Sequence, residues 1–157
     1  MPINKSKVTK ILDLDLDGIP ASLREDAKAE VMDFLKEQML ADLGEAVSPV
    51  TGRAFRKLSK DYAEYKAGES SSVMPNMELT GAMLDALEVV DKGGSKIEVG
   101  WFEEEQAAKA HGHNTGHDGQ KGYPVRKLIP EPKEDFRGGI LKEINSILNG
   151  YREDAAE

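Results

Sequence analysis

The spacing of apolar residues changes near residue 20, and this change restricts the fold more than any other feature of the sequence. In KVTKILDLDLD, residues 7–17, leucines alternate with aspartates, which predicts a strand with one buried face. The following SLRE, residues 22–25, matches a capping box, and the apolar residues after it lie on one helical face. We therefore predict a long amphipathic helix over residues 22–43, ended by Gly44.

The remainder of the chain mixes both kinds of spacing. Helical spacing predicts further helices over residues 77–90, 103–110 and 133–151. Alternation predicts a strand over Lys96–Trp101 and the start of another over Tyr123–Ile129, after a glycine-rich loop. These strands are too few for a doubly wound sheet. We predict an α+β fold in one domain, residues 1–157, with a small antiparallel or mixed sheet packed against two long amphipathic helices.

Residues 45–77 have no continuous apolar face. Pro49, Gly52, Gly68 and Pro75 interrupt them, and only a short piece, residues 58–66, has helical spacing. A loop this long inside a compact domain is usually functional or becomes ordered on binding. We predict that residues 45–77 form an extended arm, which protrudes from the body and packs on a partner.

The arm contains a basic and aromatic stretch, although the whole chain has a net charge of −8. Such a stretch can bind phosphate or an acidic protein face. We take as candidate partner-interface residues Arg53, Phe55, Arg56, Lys57, Lys60, Tyr62 and Tyr65. A solvated helix, with Asp61 and Glu64 compensating the basic charges, is an equally good interpretation. Glu98 and the glutamates at 103–105 form an opposite patch, so copies can associate head to tail.

Composition excludes several classes of function. The 157-residue chain has no cysteine, which excludes a disulfide framework, a thiolate zinc site, an iron–sulfur cluster and a cysteine nucleophile. The acidic balance argues against a surface that grips nucleic acid throughout. No apolar run approaches the ~20 residues of a membrane span, and no secretory signal is evident. We expect synthesis in the cytoplasm and no membrane partner.

Two groups of residues have the composition of metal sites. Asp13, Asp15, Asp17 and Gly18 begin like a calcium loop, but its twelfth position is Arg24 instead of glutamate, which favours an acidic strand face. The histidines at 111, 113 and 117 lie close enough in sequence to bind zinc or nickel, but their glycine-rich surroundings favour a polar surface loop. No nucleophile elbow or phosphate-binding loop occurs. We predict no catalytic residue, cofactor or metal.

Five short motifs, followed by the predicted C-terminal helix, occur in order over residues 48–148. Four of them are continuous: SPVTGRAFRKLSKDYAEYK at 48–66, LTGAMLDAL at 79–87, IEVG at 97–100 and PVRKLI at 124–129. The other, which precedes PVRKLI, consists of Ala107, Ala108, His111 and Gly116 at fixed spacing. This series resembles the phage virion-morphogenesis, or tail-completion, family. Phe55 stands where that family usually has tryptophan, and Ala107 where it usually has tyrosine.

The resemblance implies a non-enzymatic structural subunit of a bacteriophage head–tail connector, neck or tail-completion ring. It implies a homo-oligomeric ring, a hexamer or dodecamer, located at the neck or tail top of the virion. Its partners would be neighbouring neck, connector or tail proteins, and DNA would pass through the channel without sequence-specific binding. Two alternatives remain open: a small metal-dependent hydrolase that uses His111, His113 and His117, and a stand-alone regulatory module.

Overall fold

The computed structural model describes residues 7–55, 81–119 and 125–156, and the predicted α+β class is confirmed. Three strands and four helices occur within these ranges. In chain order they are β1 (Val8–Asp13), α1 (Ala21–Gly44), α2 (Gly81–Ala86), β2 (Leu87–Gly93), β3 (Lys96–Trp101), α3 (Glu104–Gly119) and α4 (Gly138–Ala156).

The strands form one antiparallel sheet in the order β1-β3-β2, so β3, the last of the described strands in the chain, is the central one. Trp101 of β3 lies opposite Val8 of β1 and also opposite Leu87 of β2. The β2–β3 hairpin turns at Gly93 and Gly94, which both have positive φ, a conformation that glycine adopts without steric cost.

The two long helices form layers on one side of this sheet. Helix α1 packs against β2 and β3, and α4 packs mainly along α1 instead of covering the sheet itself. Leu35 of α1 and Ile144 of α4 are both buried, as their helical spacing predicts. Trp101 is buried as well, and its indole Nε1 donates a hydrogen bond to the carbonyl of Met83 at 2.7 Å. The sheet and both helices therefore share one hydrophobic core.

The helix predicted over residues 77–90 is wrong in its second half. Only Gly81–Ala86 is helical, and Leu87–Gly93 forms strand β2. The hairpin partner decides this, because β3 offers a ladder of hydrogen bonds to a segment that contains the β-branched Val89 and Val90. Residues 77–80 lie outside the described ranges.

The glycine-rich loop and the strand start that follows it are also wrong as predicted. Helix α3 continues through Gly112 and Gly116 to Gly119, well beyond the predicted end at Ala110. Gly112 and Gly116 are buried, so packing accommodates them within the helix. Gly116 has φ +63°, a conformation that glycine adopts without steric cost. Residues 125–129 contain no strand, and side chains bind their backbone instead. Helix α4 begins at Gly138, later than the predicted residue 133.

The first part of the predicted arm, residues 45–55, lies on the body instead of protruding from it. We call these residues the arm root. Val47 and Ala54 form an isolated antiparallel bridge, and the N–H of Phe55 donates to the carbonyl of Ala46 at 2.8 Å. Backbone hydrogen bonds thus close the arm root on itself. The rest of the predicted arm lies outside the described residues.

Candidate functional site

The arm root contains a tight turn organised by one buried serine. The hydroxyl of Ser48 accepts hydrogen bonds from the N–H groups of Val50 and Thr51, both at 3.1 Å. The same hydroxyl donates to the carbonyl of Lys127 at 2.6 Å. Local capping by a serine side chain is typical of turns, but the bond to Lys127 reaches a distant part of the chain. Ser48 therefore both forms the turn and attaches it to the body.

An ion pair holds the other side of the arm root. Arg137 lies just before α4, and its Nε is 3.0 Å from Oδ2 of Asp42, near the end of α1. The backbone of the arm root bonds to the same two residues. The N–H of Val47 donates to the Asp42 carbonyl at 2.8 Å, and the N–H of Arg137 donates to the Pro49 carbonyl at 2.8 Å. Asp42 and Arg137 thus enclose residues 47–49.

Gly52 gives the turn a backbone conformation that favours glycine, and it lies beside Arg137. Its φ is +74°, and a Cβ placed there would lie 3.4 Å from Cδ of Arg137. A residue with a side chain would be strained in this conformation, although a Cβ at that distance would make only an ordinary van der Waals contact with the arginine. Gly52 therefore has a conformational role in the turn of the arm root.

Asn114 of α3 fixes the segment that follows α3. Its Oδ1 accepts the N–H groups of Leu128 and Ile129 at 2.7 and 3.2 Å, and its Nδ2 donates to the Ile129 carbonyl at 3.1 Å. The N–H of Arg126 donates to the carbonyl of His113 at 2.7 Å. A buried amide that bonds backbone groups replaces the ladder that a strand would supply. Leu128 and Ile129 are consequently held in the core.

These contacts bring together parts of three sequence motifs that are far apart along the chain. Residues 48–52 touch the 126–129 segment through Ser48, and that segment is held by α3 through Asn114. We call this place the motif junction. It consists of direct hydrogen bonds and buried apolar side chains, an arrangement suited to positioning a segment of chain.

A second polar cluster surrounds Glu98, in the middle of the sheet. The side chain of Glu98 is 2% exposed; its Oε2 lies 2.9 Å from Nζ of Lys7 and its Oε1 lies 3.3 Å from Nζ of Lys92. Thr9 donates its hydroxyl to Oε2 at 2.5 Å. Burial raises the pKa of Glu98, but the hydrogen bonds from Thr9, Lys7 and Lys92 outweigh it, so the pKa lies below its usual range. Glu98 is therefore not part of an exposed acidic patch, although Glu103–Glu105 are exposed.

The acidic segment at the end of β1, residues 13–17, accepts hydrogen bonds from a side chain of α4. Arg152 donates to the carbonyls of Asp15 and Asp17, the latter at 2.7 Å, and its guanidinium lies 3.6 Å from the Asp15 carboxylate. The segment lines an open cleft of about 690 Å³ together with Arg24 and Ser95. Within the described ranges, no group of three histidine or carboxylate side chains is arranged to hold a metal ion.

The predicted interface residues fall into three groups. Arg53 is exposed on the arm root, whereas Phe55 is 7% exposed and belongs to the hydrophobic core. The Phe55 ring thus contributes to the body instead of a free surface. The other five predicted residues lie outside the described ranges: Arg56, Lys57, Lys60, Tyr62 and Tyr65.

His111 and His113 do not point toward one common site. His111 and His113 both lie on α3, where residues two apart point roughly 200° away from each other. The side chain of His117 lies outside the described part of the chain.

No protein-family model matches the sequence, and neither the curated proteins nor the solved structures contain a significant match. Among the residues that the structure describes, none of the helices is long and apolar enough to span a membrane.

Proposed function

We propose that this chain is a non-enzymatic structural subunit of a bacteriophage head–tail connector, neck or tail-completion ring. The motif junction is the observation that carries the proposal. Two segments that resemble that family meet there, since Ser48 binds the carbonyl of Lys127. Gly52, the glycine of the first motif, lies beside Arg137 in the same turn.

The junction supports a role in binding because it fixes a starting point for the arm. Ser48, Asp42 and Arg137 attach the arm root at both sides, so residue 55 has a defined position on the body. A segment that leaves a rigid anchor loses less conformational entropy when it docks on a partner than one that begins in a free loop. This arrangement favours an arm that orders against a neighbouring subunit or another neck protein.

In this proposal the chain forms a hexameric or dodecameric ring and contacts adjacent neck, connector or tail proteins. The net charge of −8 is consistent with DNA that passes through the ring without being gripped, because acidic surfaces repel the phosphate backbone. Head–tail joining requires no bond to be made or broken by the subunit, so its action is binding alone.

The test is complementation of particles assembled without this chain. Purified chain is added to separate heads and tails, and joined particles are counted by electron microscopy, while native mass spectrometry measures the number of subunits in the free assembly. We expect joined particles and a closed ring of six or twelve copies. Heads and tails that stay apart, with the chain absent from the neck of images of intact virions, would contradict the proposal.

A metal assay separates this function from the hydrolase alternative. We expect protein purified without chelator to contain no stoichiometric zinc, nickel or manganese. One metal ion per chain, lost together with hydrolytic activity in a His111→Ala, His113→Ala variant, would instead favour the hydrolase.

A further inference from the structure

The two edge strands of the sheet run in the same direction. β1 and β2 both pair antiparallel with β3, which lies between them, so each has one edge facing away from β3. The outward edge of a strand carries backbone N–H and C=O groups that can pair with another strand.

Both edge strands carry a charge pattern on the same face of the sheet. Residues directly opposite each other share a face, and the register places Ile11 and Val90 on the face of Glu98. On β1 the residues of this face are Thr9, Ile11 and Asp13, and Lys7 comes two residues before Thr9. On β2 they are Glu88, Val90 and Lys92, the last of which reaches Glu98 on this face.

These two patterns are complementary when the strands lie side by side in the same direction. If Val90 is placed opposite Ile11, Lys92 falls opposite Asp13 and Glu88 falls opposite Thr9, diagonal to Lys7. Lys92 then faces the opposite charge of Asp13, Glu88 lies diagonal to Lys7, and the apolar Ile11 and Val90 meet at the centre. Ile11 is 50% exposed, so covering its side chain removes apolar surface from water and stabilises the contact.

We propose that the outer edge of β2 pairs in parallel with the outer edge of β1 from a second copy of this chain. The inference rests on the proposed function, since it names the surface through which ring subunits contact one another. Because the pairing joins two different edges, every subunit still has one edge open after it binds, and the contact closes only when the subunits complete a ring. In such a ring the sheets form one continuous layer around the axis.

The main competitor is pairing between identical edges. A twofold contact of β2 with β2 also brings Glu88 opposite Lys92, but it leaves Ile11 uncovered. A twofold contact of β1 with β1 covers Ile11 but not Val90. Only the mixed contact uses both edges and all of the complementary charges.

Disulfide trapping tests this arrangement, because the chain has no cysteine of its own. Strands that pair lie about 4.8 Å apart, within the range of Cα separations that a disulfide spans. The variant Ile11→Cys, Val90→Cys is assembled and mildly oxidised, and its products are separated without reductant. We expect a ladder of covalent multimers ending at the size of the ring. Each single variant should give only monomers.

A control variant, Ile11→Cys with Ser146→Cys on the exposed side of α4, should give no ladder. A covalent dimer from either single variant would overturn the inference, because it indicates a twofold contact. Rings that form by native mass but give no ladder in the double variant would also overturn it and leave the proposed function intact. A ladder accompanied by failure to join heads and tails would support the edge contact and contradict the proposed function.

Discussion

Arg137 binds the carboxylate of Asp42 through two of its nitrogens, Nε at 3.0 Å from Oδ2 and Nη2 at 3.2 Å from Oδ1. The side chain of Asp42 is 8% exposed, and Gln38 donates a further hydrogen bond to Oδ1 at 2.9 Å. This planar, bidentate contact ties the end of α1 to the start of α4 with the arm root between them.

Removing the side chain of Arg137 should therefore destabilise the folded protein. The variant Arg137→Leu leaves the buried carboxylate of Asp42 without its cation, and we expect the free energy of unfolding to fall by about 3 kcal/mol, the lower end for a broken buried pair, since Arg137 is partly exposed. Urea denaturation measures it. The matched control, Lys142→Leu on the exposed side of α4, should change stability by less than about 0.5 kcal/mol. Equal losses in both variants would contradict a specific role for the pair.

Replacing Asn114 should loosen the 125–130 segment. In Asn114→Leu the N–H groups of Leu128 and Ile129 lose their common acceptor inside the protein, and we expect a loss of about 1–3 kcal/mol in the free energy of unfolding. Amide hydrogen exchange should show faster exchange at residues 128 and 129. The exposed Asn145→Ala serves as control. Unchanged exchange at these two amides would rule out Asn114 as their anchor.

Glu98 makes stability depend on pH. Its pKa is lower in the folded state, so the carboxylate contributes stability that is present above its unfolded pKa of about 4.3 and lost as the pH falls through the folded pKa. We expect Glu98→Gln to be less stable than the wild type at pH 7, with the difference shrinking below about pH 4. Thermal melts between pH 3 and pH 8 measure this, with the exposed Glu143→Gln as control. A constant difference at every pH would contradict the prediction.

Two glycines should respond oppositely to alanine. Gly100 has φ +145°, and a Cβ there would collide with the carbonyl oxygen of Val8, so Gly100→Ala should destabilise the sheet strongly. Gly150 lies inside α4 with nothing near the position of a Cβ, so Gly150→Ala should stabilise by about 0.5–1 kcal/mol. Chemical denaturation measures the change in the free energy of unfolding of each variant. The prediction fails if both changes have the same sign.

Reversing the arm charges should block assembly without unfolding the subunit. We expect Arg56→Glu, Lys57→Glu to keep the melting temperature of the wild type and to fail in joining heads to tails, because the basic stretch would no longer meet an acidic partner face. Lys36→Glu, Lys142→Glu makes the same change in net charge on exposed helix positions and should join normally. Normal joining by the arm variant would return this stretch to the solvated-helix interpretation. Salt-sensitive DNA binding that is lost in the variant would place the arm in the channel.

The sequence was most informative where one element's own pattern decides its structure. The amphipathic spacing over residues 22–43 predicts α1 almost to its observed ends, and alternation over Lys96–Trp101 predicts β3. The predicted capping box is the exception within α1. The helix begins at Ala21 after Pro20, and no side-chain cap bond is formed.

Contacts between distant segments were not predictable in the same way. β2 becomes a strand because β3 is its partner, and α3 continues through buried glycines because the 125–130 segment packs on it. No sequence pattern marks Asp42, Asn114 or Arg137 in advance. Each of them binds a backbone group or a charged side chain that is distant in the sequence. Gly52 did carry a signal, because Pro49 and Gly52 interrupt the apolar spacing after α1 and are residue types that favour turns.

The position of β3 at the centre of the sheet has a consequence for folding. Among the described residues β1 pairs with β3, which follows almost ninety residues later, since Val8 lies opposite Trp101 and Asp13 opposite Lys96. During synthesis β1 and α1 must therefore wait for the β2–β3 hairpin, with their apolar faces open to solvent. Pairing over such a separation slows folding and favours aggregation of incomplete chains. Arg152 is synthesised later still, and it donates hydrogen bonds to the carbonyls of Asp15 and Asp17. The fold is therefore complete only when α4 has been synthesised.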